Sequence, residues 1–132
     1  MLLIRIMKKR WEKINYTYRH KKAFLQVEKQ LLGKNTFAGY THDLLKMFSY
    51  FFLGIKITYF LHDKLNFHHI ENIFKIYNYE EMVIDWECAR FTKPDKPLNA
   101  YDTFKKYYCD KMTLKQRIMV KLVMQKFNLI NK

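Results

Sequence analysis

Three glycines and two prolines are all that punctuates this chain of 132 residues. Between them run long stretches whose apolar side chains recur three and four positions apart, the spacing that lines one face of an α-helix, and strand-like alternation is hard to find. The pattern predicts an all-α fold, a single compact bundle of about five to seven helices with short connections. A content of 49% hydrophobic and 17% aromatic residues fills one core at this length, so one domain over 1–132 is expected and disorder is not.

Residues 3–14 make a short basic amphipathic helix with Leu3, Ile6, Met7, Trp11 and Ile14 on its apolar side. A second helix over 17–32 places His20, Ala23, Phe24, Val27 and Leu31 on one stripe, which turns His20 inward, and Gly33 stops it. Thr41 reads as an N-cap that sets His42 and Asp43 in or beside the first turn of a third helix, with Lys46 returning to the His42 side one turn later. The stretch 48–60 is apolar on most faces and predicts a buried helix broken near Gly54. His62, Asn66 and His69 then follow at helical spacing, and Glu81 and Asp85 lie four apart on a helix over 80–90. A loop at 92–98, with Pro94 and Pro97, precedes two closing helices over 98–109 and 114–127. The resulting layout is a basic helix at 1–15, a core at 16–110 and a basic helix at 111–132.

The net charge of +13 is concentrated at the two ends. Residues 1–34 hold ten Lys and Arg against Glu12 and Glu28, and residues 105–132 hold eight against Asp110. Such ends can bind nucleic acid by displacing phosphate counterions, although no reader motif accompanies them. Cys88 and Cys109 match neither a zinc-finger spacing nor a disulfide framework and read as small packing residues in a reducing, cytoplasmic setting. The apolar run at 1–6 precedes its basic cluster and is too short for a secretory signal. The run at 47–61 is interrupted by Lys56 and falls short of the ~20 residues that span a bilayer, so no membrane insertion is expected. Ser49, the single serine, has no histidine at nearby helical spacing, and Gly33, Gly39 and Gly54 are too scattered for a phosphate-cradling loop.

Against this background one series stands out. All five histidines fall in order with two aspartates: His20, His42-Asp43, His62, His68-His69 and Asp85. Imidazoles and carboxylates gathered in the middle of a small protein are the usual side chains for a divalent metal centre. His68 and His69 diverge by about 100° on a helix, so the two are not assumed to reach the same ion.

The order His20, His42-Asp43 and Asp85 resembles the defining pattern of the HD-domain superfamily, helical metal-dependent proteins in which a His, an adjacent His-Asp pair and a distant Asp hold a divalent ion. His62 and His68-His69 resemble the additional histidines of two-metal members. The stretches 41–46, 62–69 and 81–86 are also similar to a small bacterial family of HD-like proteins, and the likeness spans roughly residues 16–110. The resemblance implies a first metal on His20, His42, Asp43 and Asp85. It makes Asp43 the bridge to a second ion held by His62 with His69, or with His68 in its place. Lys46 is then a candidate to hold substrate phosphate or orient Asp43, and Glu81 to act as general base or to support a metal ligand; ordinary roles as a surface ion-pair partner and a solvated helix residue are the alternatives. The ion itself, among Mn, Fe, Mg, Zn, Co and Ni, is left open.

The expected function is a metal-dependent phosphohydrolase acting on a nucleotide or another small phosphorylated compound, with metal-activated water as nucleophile. A di-iron oxygenase of HD type is the second reading. The third is a non-catalytic basic protein that binds nucleic acid through its ends. None of these specifies an oligomeric state.

Overall fold

In the computed structural model, which describes residues 1–65, 76–93 and 98–130, a single helix carries the first quarter of the chain. Helix α1 spans Leu2–Leu32 without interruption, where the sequence pattern predicts two helices. No Gly or Pro lies between Ile14 and Thr17 to break it. The Thr17 hydroxyl donates back to the Lys13 carbonyl at 2.9 Å, one turn earlier, instead of capping a new start. Gly33 ends the helix in the left-handed conformation at φ 76°, its N–H donating to Lys29 O at 2.9 Å.

Two short elements follow: α2, Phe37–Thr41, and α3, Leu44–Phe52. Thr36 caps α2, accepting from Gly39 N at 3.0 Å. Thr41 does not serve as an N-cap; it ends α2, with its hydroxyl bonded back to Phe37 O. The cap position of α3 belongs to Asp43. The expected break near Gly54 is present, at φ 89°, and separates α3 from α4, Ile55–Leu65. The apolar run at 47–61 is therefore two helices, and among the described residues no helix is long and apolar enough to cross a membrane.

Helix α5, Ile76–Ala89, is the central element. Met82, Val83, Ile84, Trp86 and Cys88 are all buried on it, packed against Phe24 and Val27 of α1. The far side of the core comes from α6, Ala100–Thr103, which continues as a π-helical turn at Phe104–Tyr108, and from α7, Leu114–Lys126. Phe104, Val120, Val123 and Met124 close it. Each such side chain, removed from water, contributes about 1.5–3 kcal/mol, which makes α1 and α5 a rigid pair. Helix α7 is fixed at its start by a reciprocal cap: Thr113 Oγ1 accepts from Gln116 N and Gln116 Oε1 accepts from Thr113 N. Among the described residues the fold is helical throughout, with no strand.

Candidate metal centre

The facing surfaces of α1 and α5, with the α2–α3 junction laid across them, bring the distant His and Asp residues together. His20 comes from the middle of α1, His42 and Asp43 from the junction, His62 from α4, and Glu81 and Asp85 from one face of α5. Adjacent residues on a regular helix diverge by about 100°, so a continuous helix would send His42 and Asp43 apart. The chain avoids this by placing Asp43 in the left-handed region, at φ 57° and ψ 11°. Asp tolerates that conformation better than most residues, at a cost of about 1–2 kcal/mol. The turn is held from behind by Glu28, a fully buried carboxylate that accepts from Thr36 N at 2.9 Å and from Thr36 Oγ1 at 2.8 Å. Gly39 lies against this carboxylate so closely that a Cβ there would collide with it.

His20, His42 and Asp43 each offer a ligand atom within 4.8 Å of the other two, and Asp85 joins them through both imidazoles. His20 Nε2 is 2.6 Å from Asp85 Oδ1, and His42 Nε2 is 3.2 Å from the same oxygen. Asp43 Oδ2 is 3.6 Å from His42 Nε2 and 4.0 Å from His20 Nε2. Donors about 2.1 Å from one ion stand about 3.0–3.4 Å apart when neighbouring and about 4.2 Å apart when opposite. The 3.2 Å separation matches neighbouring donors, 3.6 and 4.0 Å lie between the neighbouring and opposite values, and the 2.6 Å contact is a hydrogen bond.

Support for the cluster is equally specific. His42 is held on its other nitrogen, Nδ1, by Glu81 Oε1 at 3.2 Å, which leaves Nε2 directed at the cluster. Its ring stacks on Phe24 with centroids 4.0 Å apart and planes 15° from parallel. His20 Nδ1 lies 3.5 Å from the Thr92 hydroxyl, so this imidazole too presents Nε2 inward. Glu81 is buried, not the solvated helix residue that is its ordinary alternative.

The electrostatics are those of opposed charges kept out of water. Burial alone lowers the pKa of His42, but the adjacent Asp43 and the hydrogen bonds to Asp85 and Glu81 raise it from 6.5 to about 10. For Asp85, burial pushes upward and is overridden by His20 and His42, which hold it well below the usual 3.8. Asp43 is likewise pushed up by burial and brought down by His42, Lys46 and His62.

His62 approaches the other side of Asp43, its Nδ1 3.4 Å from Oδ1. Asp43 Oδ1 is buried without a hydrogen-bond partner among the described residues, so it is an acceptor turned toward an electropositive group. The spacing of His20, His42 and Asp43 and the His and carboxylate chemistry of the cluster fit a divalent cation, while the orphaned Oδ1 faces the other way, toward His62. His68 and His69 lie outside the described residues, and so does the rest of the expected second ligand set.

A cavity of about 480 Å3 opens over the cluster, and Asp85, with 23% of its side chain exposed, connects the two. Lys46 and Lys93 supply its cations. Trp86, stacked on Tyr108 at 4.7 Å, and Tyr107 and Tyr16 supply aromatic walls. Trp86 belongs to the hydrophobic core as well, and sequence reasoning passes over Tyr16, Tyr107, Tyr108, Lys93 and Thr92, because none is spaced with the histidines. It also reads Cys88 as packing. The thiol is buried, but its sulfur lies 3.9 Å from both His20 nitrogens, and His20, Asp85 and Cys88 form a second group with metal-ligand spacing. Burial first, then Asp85 and Asp43, push the Cys88 thiol well above its usual pKa, which keeps it protonated.

The chain matches no protein-family model, no curated protein and no solved structure.

Proposed function

We propose that this protein is a metal-dependent phosphohydrolase of HD type, acting on a nucleotide or another small phosphorylated compound. The observation that carries the reading is the meeting of His20, His42, Asp43 and Asp85, drawn from three separate parts of the chain, with His20, Asp43 and Asp85 lining an open cavity. These four residues would hold a divalent ion. When bound, it supplies Lewis acidity, neutralising a phosphate oxygen and acidifying water for attack at phosphorus.

The remaining work falls to the chain itself. Glu81 fixes the His42 ring and compensates its charge, so the imidazole need not reorient during turnover. Lys46 of α3 and Lys93, beyond the end of α5, both line the cavity and attract the phosphate dianion. The Trp86, Tyr107 and Tyr108 wall accepts a planar ring, which favours a nucleotide over a phosphorylated sugar. A volume of about 480 Å3 lies within the range of small-molecule sites, and the basic surface, +13 overall, draws anionic substrates toward it.

The test is hydrolysis of a panel of nucleoside mono-, di- and triphosphates by metal-reconstituted protein. Activity that is lost on chelation and in Asp43→Asn, at unchanged helix content, supports the reading. Metal-loaded protein that hydrolyses none of the panel, or activity indifferent to Asp43→Asn, contradicts it.

A further inference from the structure

Away from the metal centre, the first three turns of α1 lie alongside α3 and form a groove of about 730 Å3 lined by Leu3, Ile4, Met7, Trp11, Ile14 and Phe51. These side chains are not a covered core: Leu3 is 70%, Ile4 68%, Trp11 60% and Phe51 50% exposed. Phe52, packed edge-on against Phe51 at 4.9 Å, extends the apolar surface and is itself exposed. Leaving so much aliphatic and aromatic surface in water is unfavourable unless something covers it.

Charge selects what that is. At 100° per residue, positions 3, 4, 7, 11 and 14 form one stripe of α1, and Lys8 and Arg10 flank it at roughly 70–90° to either side. Both cations border the groove. Arg5, Lys9 and Lys13 occupy the remaining faces, against Glu12 as the one acid among residues 1–14. A symmetric dimer through this face would set the cationic rim of one copy against that of the other. A bilayer surface with anionic headgroups satisfies both features at once, since its acyl boundary accepts the apolar stripe and its phosphates pair with the flanking Lys and Arg. Tryptophan at the boundary, as at Trp11, fits the same depth. No described helix crosses a membrane, so the association is with the surface.

We infer that the face formed by α1 and Phe51 docks the protein on anionic lipid membranes. The test uses the full chain and sedimentation with vesicles made either of phosphatidylcholine alone or of equal parts phosphatidylcholine and phosphatidylglycerol. Trp86 is buried and Trp11 is not, so lipid contact reads out as a blue shift of the Trp11 emission. Binding is expected on the anionic vesicles, at least about tenfold weaker on the neutral ones. It should weaken as salt rises from about 0.1 M to about 1 M and the screening length contracts to about 3 Å. Trp11→Glu should abolish it and Lys8→Glu should reduce it at least about tenfold, both at unchanged circular dichroism and Tm, as expected for exposed positions. Equal binding to both vesicle types, binding that survives Trp11→Glu, or a dimer that shields Trp11 while vesicles go unbound would each overturn the inference.

Discussion

His20 and Asp85 stand 65 positions apart in the chain, yet Nε2 of one lies 2.6 Å from Oδ1 of the other. That contact fixes the register of α1 against α5, and it gathers the elements of the proposed centre because His42 reaches the same carboxylate oxygen. In the proposed centre an incoming ion would displace protons from this hydrogen-bonded, partly charged cluster.

Glu81 meets the proposed centre through His42 Nδ1, at 3.2 Å. Glu81→Gln keeps an oxygen that can accept from that N–H but removes its charge, so the ring stays in place while its basicity falls. Divalent-ion affinity should drop by about 10–100-fold with helix content unchanged, measured by isothermal titration calorimetry.

His62 faces Asp43 Oδ1, the oxygen directed away from His20 and His42. His62→Ala should therefore lower affinity for the first ion by less than about tenfold, in contrast to substitutions within the four-residue set. Competition titration with a chromogenic chelator separates the two cases.

Gly39 is required by close approach to Glu28, not by its backbone angle. Gly39→Ala forces the carboxylate off Thr36 and loosens the turn that delivers His42 and Asp43. It should cost about 1–3 kcal/mol in urea unfolding and weaken ion binding in parallel.

In the ion-free protein His42 has its pKa raised from 6.5 to about 10, so its contribution to stability is complete below about pH 6.5 and is lost as pH climbs toward 10. Asp85 is shifted the opposite way, below 3.8, and its contribution is present above that value and lost as pH falls through its lowered pKa. The Tm of the ion-free protein should thus be highest at roughly pH 5–7 and fall on both sides. At pH 7 an ion entering the cluster must also displace the His42 proton, releasing about one proton from that residue, which calorimetry in buffers of different ionisation enthalpy detects.

Much of this was readable from residue order. The 3.6-residue periodicity that puts His20 on the stripe with Phe24 and Val27 is local, and all three are buried on one side of α1 in the structure. The spacing of Glu81 and Asp85 likewise predicts that both face one partner, and both meet His42. What could not be read depends on chain geometry or distant packing. Helix α1 runs through 14–17 because no residue there forbids it, while a hydrophobic pattern marks only where faces change. The left-handed Asp43 has no composition signal, since Asp is common in both caps and turns. Thr92, Lys93 and Tyr107 reach the cavity from beyond the end of α5, at spacings unrelated to any histidine.

The central claim is that these four side chains hold a divalent ion. It is tested most directly by elemental analysis of the protein, purified without an affinity tag, beside Asp43→Asn, a replacement that tolerates the left-handed backbone and removes only the charge. About one tightly held divalent ion per wild-type chain is expected, and its loss from the variant, with both folded. Wild-type protein that neither retains nor takes up Mn, Fe, Mg, Zn, Co or Ni, or a variant that binds the ion as well as wild type, would contradict it.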